Sequence, residues 1–360
     1  MATQSVLISN VHRILKDYRK GEWGIKAITK SKVKDWANQF DVKHRNLVLA
    51  ELNHILKKRY YSKRRIKSVL RREITGMSRD LGFKSTKAFL KHVTFVNVQS
   101  AGKSQNDLLR LLNEVLVKRF SMELQQCGQL SHRYTIYIDD MLCTGQTLQR
   151  DIIKWGNQVF SNSRITNKRA LELGRTKLIL VYIFCHMKEY KKKLYQIGKY
   201  YFQNGSFDPD LYCQVSIDNT EGKSKNQMMI PSKSVLSKKM LQYRDQVNNE
   251  VDEHLFGREF KVLGSRFFRQ INYPRRESFF SSSESRNTVE KVFLVKGIDI
   301  ARNAVNRKIN IRPLGYALPS TRNFGFGALC FTYRNISNNT PLVFWYSFTN
   351  FRPLFEKREV

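Results

Sequence analysis

The stretch YTIYIDDMLCTGQTL, residues 134–148, decides how this chain is read. Tyr134, Thr135, Ile136, Tyr137 and Ile138 form a run of β-formers, the pattern of a short strand. Asp139 and Asp140 are expected to stop it. Thr144, Gly145, Gln146 and Thr147 then make a small loop bearing two hydroxyls. Leu148, Ile152, Trp155 and Val159 recur at helical spacing, so a helix follows. Strand, acidic pair, loop and helix together suit a phosphate: loop amides and threonine hydroxyls face the anion, and the helix N-terminus adds partial positive charge. Carboxylates repel a phosphate, so the two Asp have another task. They suit the vicinal hydroxyls of a sugar, as acceptors.

A second turn of this kind lies upstream. Val93 to Val98 reads as a strand and Gln99 to Lys103 as a Gly-containing turn. Ser104 is expected to cap a helix, with Asp107 three residues on and Leu108, Leu111, Leu112 and Val115 as its apolar stripe. KLILVYIFCHM (177–187) reads as a strand covered on both faces, EYKKKLYQIGKYY (189–201) as a helix and LYCQVSI (211–217) as a further strand. Strands and helices alternating at this spacing mean an α/β fold with a parallel sheet. In an open sheet, ligands sit at the carboxyl ends of the strands, so both turns are expected to line one crevice. Gly102 allows close approach of the backbone to a second anion, and Lys103 supplies a point charge. One ribose between two phosphate groups is the shape of phosphoribosyl pyrophosphate.

IYIDDMLCTGQTL resembles the phosphoribosyl-pyrophosphate motif of type I phosphoribosyltransferases. The resemblance, over roughly residues 90–220, implies an open, mostly parallel sheet of phosphoribosyltransferase type. It implies that Asp139 and Asp140 bind the ribose 2′- and 3′-hydroxyls and are the catalytic residues. Thr144, Gly145, Gln146 and Thr147 would hold the 5′-phosphate. Ser100, Ala101, Gly102, Lys103 and Ser104 would take the pyrophosphate with Mg2+, the metal meeting Asp139 and Asp140 only through the ligand.

A narrower likeness covers more of the chain. DWANQF (35–40), QSAGKSQ (99–105), RPLGYAL (312–318), NNTPLVFWYSF (338–348) and FRPLF (351–355) resemble the PRTase-CE effectors of bacterial conflict systems. That membership implies an anti-phage role beside other defence proteins, such as a reverse transcriptase or an ATPase. Three features depart from a salvage enzyme. Cys143 stands where purine-type members often carry an acid. Only 36 positions separate Lys103 from Asp139 (139 − 103), too few for the extra strand and mobile catalytic loop of many members. The charge, below, is also unusual. Whether the chain turns over substrate or only binds it stays open. AGKS (101–104) also resembles the end of a Walker A loop, but Asn97 stands where that motif needs its first Gly.

Lys and Arg total 64 against 30 Asp and Glu, a net charge of +34 over 360 residues. The chain is 41% hydrophobic, enough for a core, and the excess charge points to a polyanionic partner, DNA or RNA. The densest cluster comprises Lys57, Lys58, Arg59, Lys63, Arg64, Arg65, Lys67, Arg71 and Arg72, nine basic residues in sixteen, with Tyr60 and Tyr61 among them. It reads either as a phosphate-tracking surface with stacking tyrosines or as a solvated helical face over two core tyrosines. Five scattered cysteines without Cys-x-x-Cys spacing argue against a zinc site or a disulfide framework. With no signal-peptide pattern and no apolar run long enough for a bilayer, a cytoplasmic protein without membrane contact is expected.

Residues 1–85 read as a helical region and residues 86–360 as the α/β domain with a C-terminal extension. In that extension, SFFSSSESRNT (278–288) reads as an exposed or mobile loop, and EKVFLVKGIDIARNAVNRKI (290–309) as a short strand followed by a helix or loop. Residues 324–355 read as a β-hairpin turning at Ser337 to Thr340, with Trp345 in the core.

Overall fold

The apolar stripes at the start of the chain become α1 (Gln4–Leu15), α2 (Lys30–Asn38) and α3 (Val42–Arg59). Each turns an apolar face inward: Val11 and Leu15, Val33 and Trp36, Leu49 and Leu52 are all buried. Thr29 caps α2 by accepting a hydrogen bond from Lys32 N. A two-residue strand, β1 (Tyr60–Tyr61), follows α3. This computed structural model describes every residue except 1–2, 23, 101, 203–206, 219–225, 258–265, 305–307, 349 and 357–360.

The next stretch carries the sheet. It runs α4 (Lys63–Asp80), α5 (Thr86–Leu90), β2 (Val93–Phe95), α6 (Ser104–Phe120), β3 (Tyr134–Leu142), α7 (Gln146–Gly156), α8 (Asn167–Glu172), β4 (Lys177–His186), α9 (Met187–Ile197) and β5 (Asp210–Ile217). The strands lie in the order β2-β3-β4-β5, every neighbouring pair parallel. The register sets Ile136 beside Phe95 on one side and Ile179 on the other, and Asp139 beside Tyr182. β4 is buried from Leu178 to His186, as expected of a strand covered on both faces. Tyr137, Leu180 and Tyr182 pack with Leu148, Ile152 and Trp155 of α7 and with Tyr190 and Ile197 of α9 in one core.

The chain then continues through α10 (Lys238–Leu255), α11 (Ser283–Arg302) and the two-residue β6 (Phe331–Thr332), which pairs parallel with β1. Two compact units result: Lys63–Ile217, and Met1–Ser62 together with Asp218–Val360. The division read from sequence at residue 85 differs from this one. α4 packs on α6 and so stays with the sheet, while α1, α2 and α3 pack together and α3 also meets α11.

Three expectations for the C-terminal part are corrected. The serine-rich stretch is a helix start: Ser282 caps α11 by accepting from Ser285 N, and Phe279 and Phe280 are buried. Residues 290–302, read as beginning with a strand, continue that helix. In place of a hairpin, the described residues show β6, isolated antiparallel bridges from Phe331 to Ile336 and from Phe348 to Phe351, and a 3-10 turn at Leu342–Phe344. Tertiary bonds replace the ladder. Trp36 Nε1 donates to Val343 O at 2.8 Å and its ring stacks on Phe344, so the DWANQF and NNTPLVFWYSF motifs share one core. Trp345 is buried as expected and donates to Thr340 O at 2.7 Å. Gly315 is held at φ +102°, and a Cβ there would lie 2.4 Å from the Asn339 backbone, which demands glycine.

Candidate functional site

β2 and β3 are adjacent and parallel, so the turns that leave them emerge at the same end of the sheet. The start of α6 meets the acidic strand: Ser104 Oγ donates to Asp139 Oδ1 at 2.7 Å. Ser104 is therefore the first residue of α6 and not its cap. Lys103 occupies the cap position in extended backbone and offers no capping side chain. The upstream turn is pinned from within. Gln105 Oε1 accepts from the N–H groups of Val98 and Gln99, and Asn106 Nδ2 donates to the carbonyls of Gln99 and Ser100. Ser100, Gly102 and Lys103 are exposed on it, Gly102 at φ +84°; Ala101 lies outside the described residues.

Asp139 and Asp140 do not end the strand. β3 continues to Leu142, and both carboxyls are buried at 3% and 4% exposure. Alternation puts Asp139 on the face of Tyr137 and Asp140 on the face of Ile136 and Ile138. Asp139 Oδ1 also accepts from Asp140 N at 2.9 Å, and its Oδ2 accepts from Tyr137 Oη at 3.3 Å. Burial, then the like charge of Asp140, pushes the Asp139 carboxyl up to about 7. The Ser104 hydroxyl and the Asp140 N–H offset part of that rise. Burial holds Tyr137 and Tyr182 well above the ordinary phenol range, so both stay protonated donors.

Behind the acidic pair lies a network that sequence reading missed. Tyr137 Oη donates to Asp151 Oδ2 at 2.9 Å, and Gln99 Nε2 reaches the same oxygen at 2.7 Å. Arg150 closes it with an ion pair to Asp151 Oδ1 at 3.1 Å. Lys154 Nζ donates to Val98 O at 2.6 Å, tying α7 to the end of β2. A buried Asp151 on the apolar face of α7 was the available signal, since an acid on such a face needs a partner.

The downstream turn reaches α7 through Gly145, the cap residue, at φ +71°. A Cβ there would lie 2.3 Å from Lys193 Cγ, so both backbone and space require glycine. Lys193, on α9, is buried and its pKa is lowered, first by burial and then by Lys192. Its Nζ donates to Gln149 Oε1 at 2.9 Å. Gln146 is exposed and Thr144 and Thr147 are half-buried at the start of α7. Cys143 is buried. His186 caps α9, its Nδ1 accepting from Glu189 N at 3.3 Å.

The basic cluster is dispersed. Arg59 is buried: it donates to Gln227 Oε1 at 2.7 Å and lies over Phe279, so it is no part of an accessible patch. Tyr60 and Tyr61 are core residues, Tyr60 Oη donating to Asp17, and neither presents a ring for stacking. Lys58 is bonded to Ser278 O, Lys63 and Lys67 face Glu114, and Arg72 pairs with Glu73 and Gln214. Lys57, Arg64, Arg65 and Arg71 are exposed.

A parallel sheet that presents an acidic pair near the carboxyl end of one strand, a glycine-led helix start beside it and a second turn from the next strand defines a phosphoribosyltransferase-like α/β protein. The chain belongs to the PRTase-CE family, whose family model matches residues 33–357, from before DWANQF to beyond FRPLF. Neither the curated proteins nor the solved structures gave a match. Among the described residues no helix is long and apolar enough to cross a membrane.

Proposed function

We propose that the crevice binds phosphoribosyl pyrophosphate or a nucleotide, and that the protein is an effector of a bacterial anti-phage system. The single observation behind this reading is the Ser104–Asp139 hydrogen bond, which brings the helix start after the upstream turn against the acidic strand that leads to the downstream one. Asp139 and Asp140 accept from the ribose hydroxyls. Thr144, Gly145, Gln146 and Thr147 meet the 5′-phosphate at the start of α7, where free backbone N–H groups and the helix dipole favour an anion. Ser100, Gly102 and Lys103 face the pyrophosphate.

The donor set suits magnesium carried by the ligand. Two adjacent buried carboxyls, of which Asp140 raises the pKa of Asp139, favour a nearby cation. Among the described residues no group of three His, Cys, Asp or Glu forms a metal cage, and magnesium commonly binds through one or two carboxylates plus phosphate oxygens. When bound, it would neutralise charge on a departing pyrophosphate. The chain's own contribution to displacement at the anomeric carbon is orientation: the acids hold the ribose, and the loop amides hold both phosphates in line.

A second reading is a subunit that binds without turnover, docking nucleic acid or a partner such as a reverse transcriptase or an ATPase. It is favoured by the short segment between the turns, where α6 and one 3-10 turn, Leu124–Gln126, leave no strand or long loop among the described residues. The charge of +34 favours it too. Calorimetric titration with phosphoribosyl pyrophosphate and magnesium, followed by product analysis, tests both. Binding with release of pyrophosphate supports the enzyme, binding alone supports the second reading, and no binding by the folded protein removes the crevice assignment.

A further inference from the structure

A shallow, open cavity with arginines at its rim lies at the opposite end of the sheet. It measures about 390 Å³ and is lined by His132, Arg133, Arg175 and the turn Phe160–Ser163. Arg133 immediately precedes β3 and Arg175 stands two residues before β4, so both mark the amino ends of parallel strands. Asp139 lies six residues along β3, about 20 Å at the rise of a strand. A ligand here is thus separate from one in the crevice.

The turn is prebuilt. An antiparallel bridge joins Val159 to Thr166, Phe160 N donates to Ile165 O at 2.9 Å, and Ser161 sits at φ +50°. Ser163 spends its hydroxyl hydrogen on Phe160 O at 2.6 Å, and Ser131, also at the rim, is bonded to His92. Arg133 and Arg175 are exposed, and no acid lines the cavity among the described residues. Arg133 lies over the Tyr134 ring at 5.4 Å, which restrains the guanidinium. Phe160 is half-buried, set edge-to-face with His132 at 6.0 Å. Two guanidinium forks facing a concave, acid-free surface suit a phosphate, which arginine binds bidentately. An aromatic wall beside them suits a nucleobase. The volume lies within the usual range for small-ligand sites.

We propose that this cavity binds a nucleoside monophosphate group, independently of the crevice: Arg133 and Arg175 on the phosphate and Phe160 against the base. The test is calorimetry at low salt with AMP as probe, on full-length protein carrying Asp139→Asn and Asp140→Asn so that the crevice is disabled. AMP binding is expected to persist in that background and to weaken at least tenfold when Arg133→Gln and Arg175→Gln are added. The Arg133→Lys variant, which keeps the charge but loses the fork, is expected to fall between. Adenosine without phosphate is expected to bind far more weakly than AMP. Competition by a 5′-phosphorylated oligonucleotide assigns the same group to a strand end, and its failure assigns a free nucleotide. The proposal is overturned if AMP does not bind, if the arginine changes leave its affinity unaltered, or if binding is lost with the Asp substitutions alone while the melting temperature holds.

Discussion

Ser104 and Asp139 are 35 residues apart in sequence and 2.7 Å apart in space, joined by one hydroxyl-to-carboxylate hydrogen bond. That bond fixes the start of α6 against the middle of the acidic strand, and it makes the serine part of the site's electrostatics. Removing the hydroxyl takes a donor from a buried carboxylate. Ser104→Ala is therefore expected to raise the Asp139 pKa further. It is also expected to weaken a ribose-phosphate ligand by roughly tenfold or more, the order of a charged hydrogen bond at about 1.5–3 kcal/mol. Titration calorimetry with phosphoribosyl pyrophosphate at pH 7 and pH 8 reads both effects, because the loss shrinks at the higher pH if it arises from protonation.

Asp139 gives the protein a defined pH response. Its folded pKa of about 7 stands above the ordinary 3.8. The folded state thus holds a proton that the unfolded chain has released between those values. By this group alone, stability is highest below pH 4 and is lost as pH rises through 7. Ligand binding runs the other way, since ribose hydroxyls need the carboxylate as acceptor. Affinity is expected to fall below pH 7, approaching tenfold per pH unit. A profile flat from pH 5 to pH 8 in the wild type contradicts the ribose assignment. The Asp139→Asn variant is expected to be flat and to melt at or above the wild-type temperature at pH 8.

Gly145→Ala is expected to be destabilising by more than about 1 kcal/mol, because φ is positive and the new methyl meets Lys193 Cγ. Combining it with Lys193→Ala removes the contact with Cγ and leaves the backbone strain. The double variant is expected to melt above the sum of the single losses. Additive losses would show that the backbone strain alone matters.

Lys103 is exposed at the start of α6 and faces only the upstream anion in the proposed pose. Lys103→Ala is expected to weaken phosphoribosyl pyrophosphate about tenfold and ribose 5-phosphate little. Equal losses for both ligands would separate the lysine from the pyrophosphate. A preference for ATP that vanishes with Lys103 would instead favour the Walker-like reading of AGKS.

The basic residues divide into accessible and buried sets, and substitutions should follow that division. Neutralising Arg64, Arg65 and Arg71 together is expected to shrink the salt slope of any DNA or RNA binding, near −0.9 per phosphate contact on duplex DNA. Arg59→Ala is expected to leave that slope alone and to lower the melting temperature, because it strips Gln227 and Phe279 of a buried partner. A slope near zero in the wild type assigns the charge to a different partner.

The sequence by itself determined the local pieces: the strand through Tyr137, the glycine turn at Gly145, α6 and α7, and hence the parallel sheet with its acidic pair. These were legible because a strand–turn–helix unit is a short-range pattern of apolar period and turn chemistry. Tertiary structure decided the rest. Asp139 and Asp140 lie within the strand, and it is burial that moves the Asp139 pKa, a property no residue string carries. Ser104 was open to reading as a cap because its real acceptor lies on another strand. Gln99 and Lys193 carry no local signal because each bonds across the fold, Gln99 to Tyr137 and Asp151, 38 and 52 positions away, and Lys193 to Gln149, 44 positions away. Arg59, Tyr60 and Tyr61 look like a nucleic-acid surface in a basic run, yet they turn inward at the end of α3, where Gln227, Phe279 and Asp17 receive them. The C-terminal motifs fold as turns and not as a hairpin, and Val343 O is met by the Trp36 indole 307 positions away, a partner that no local pattern carries.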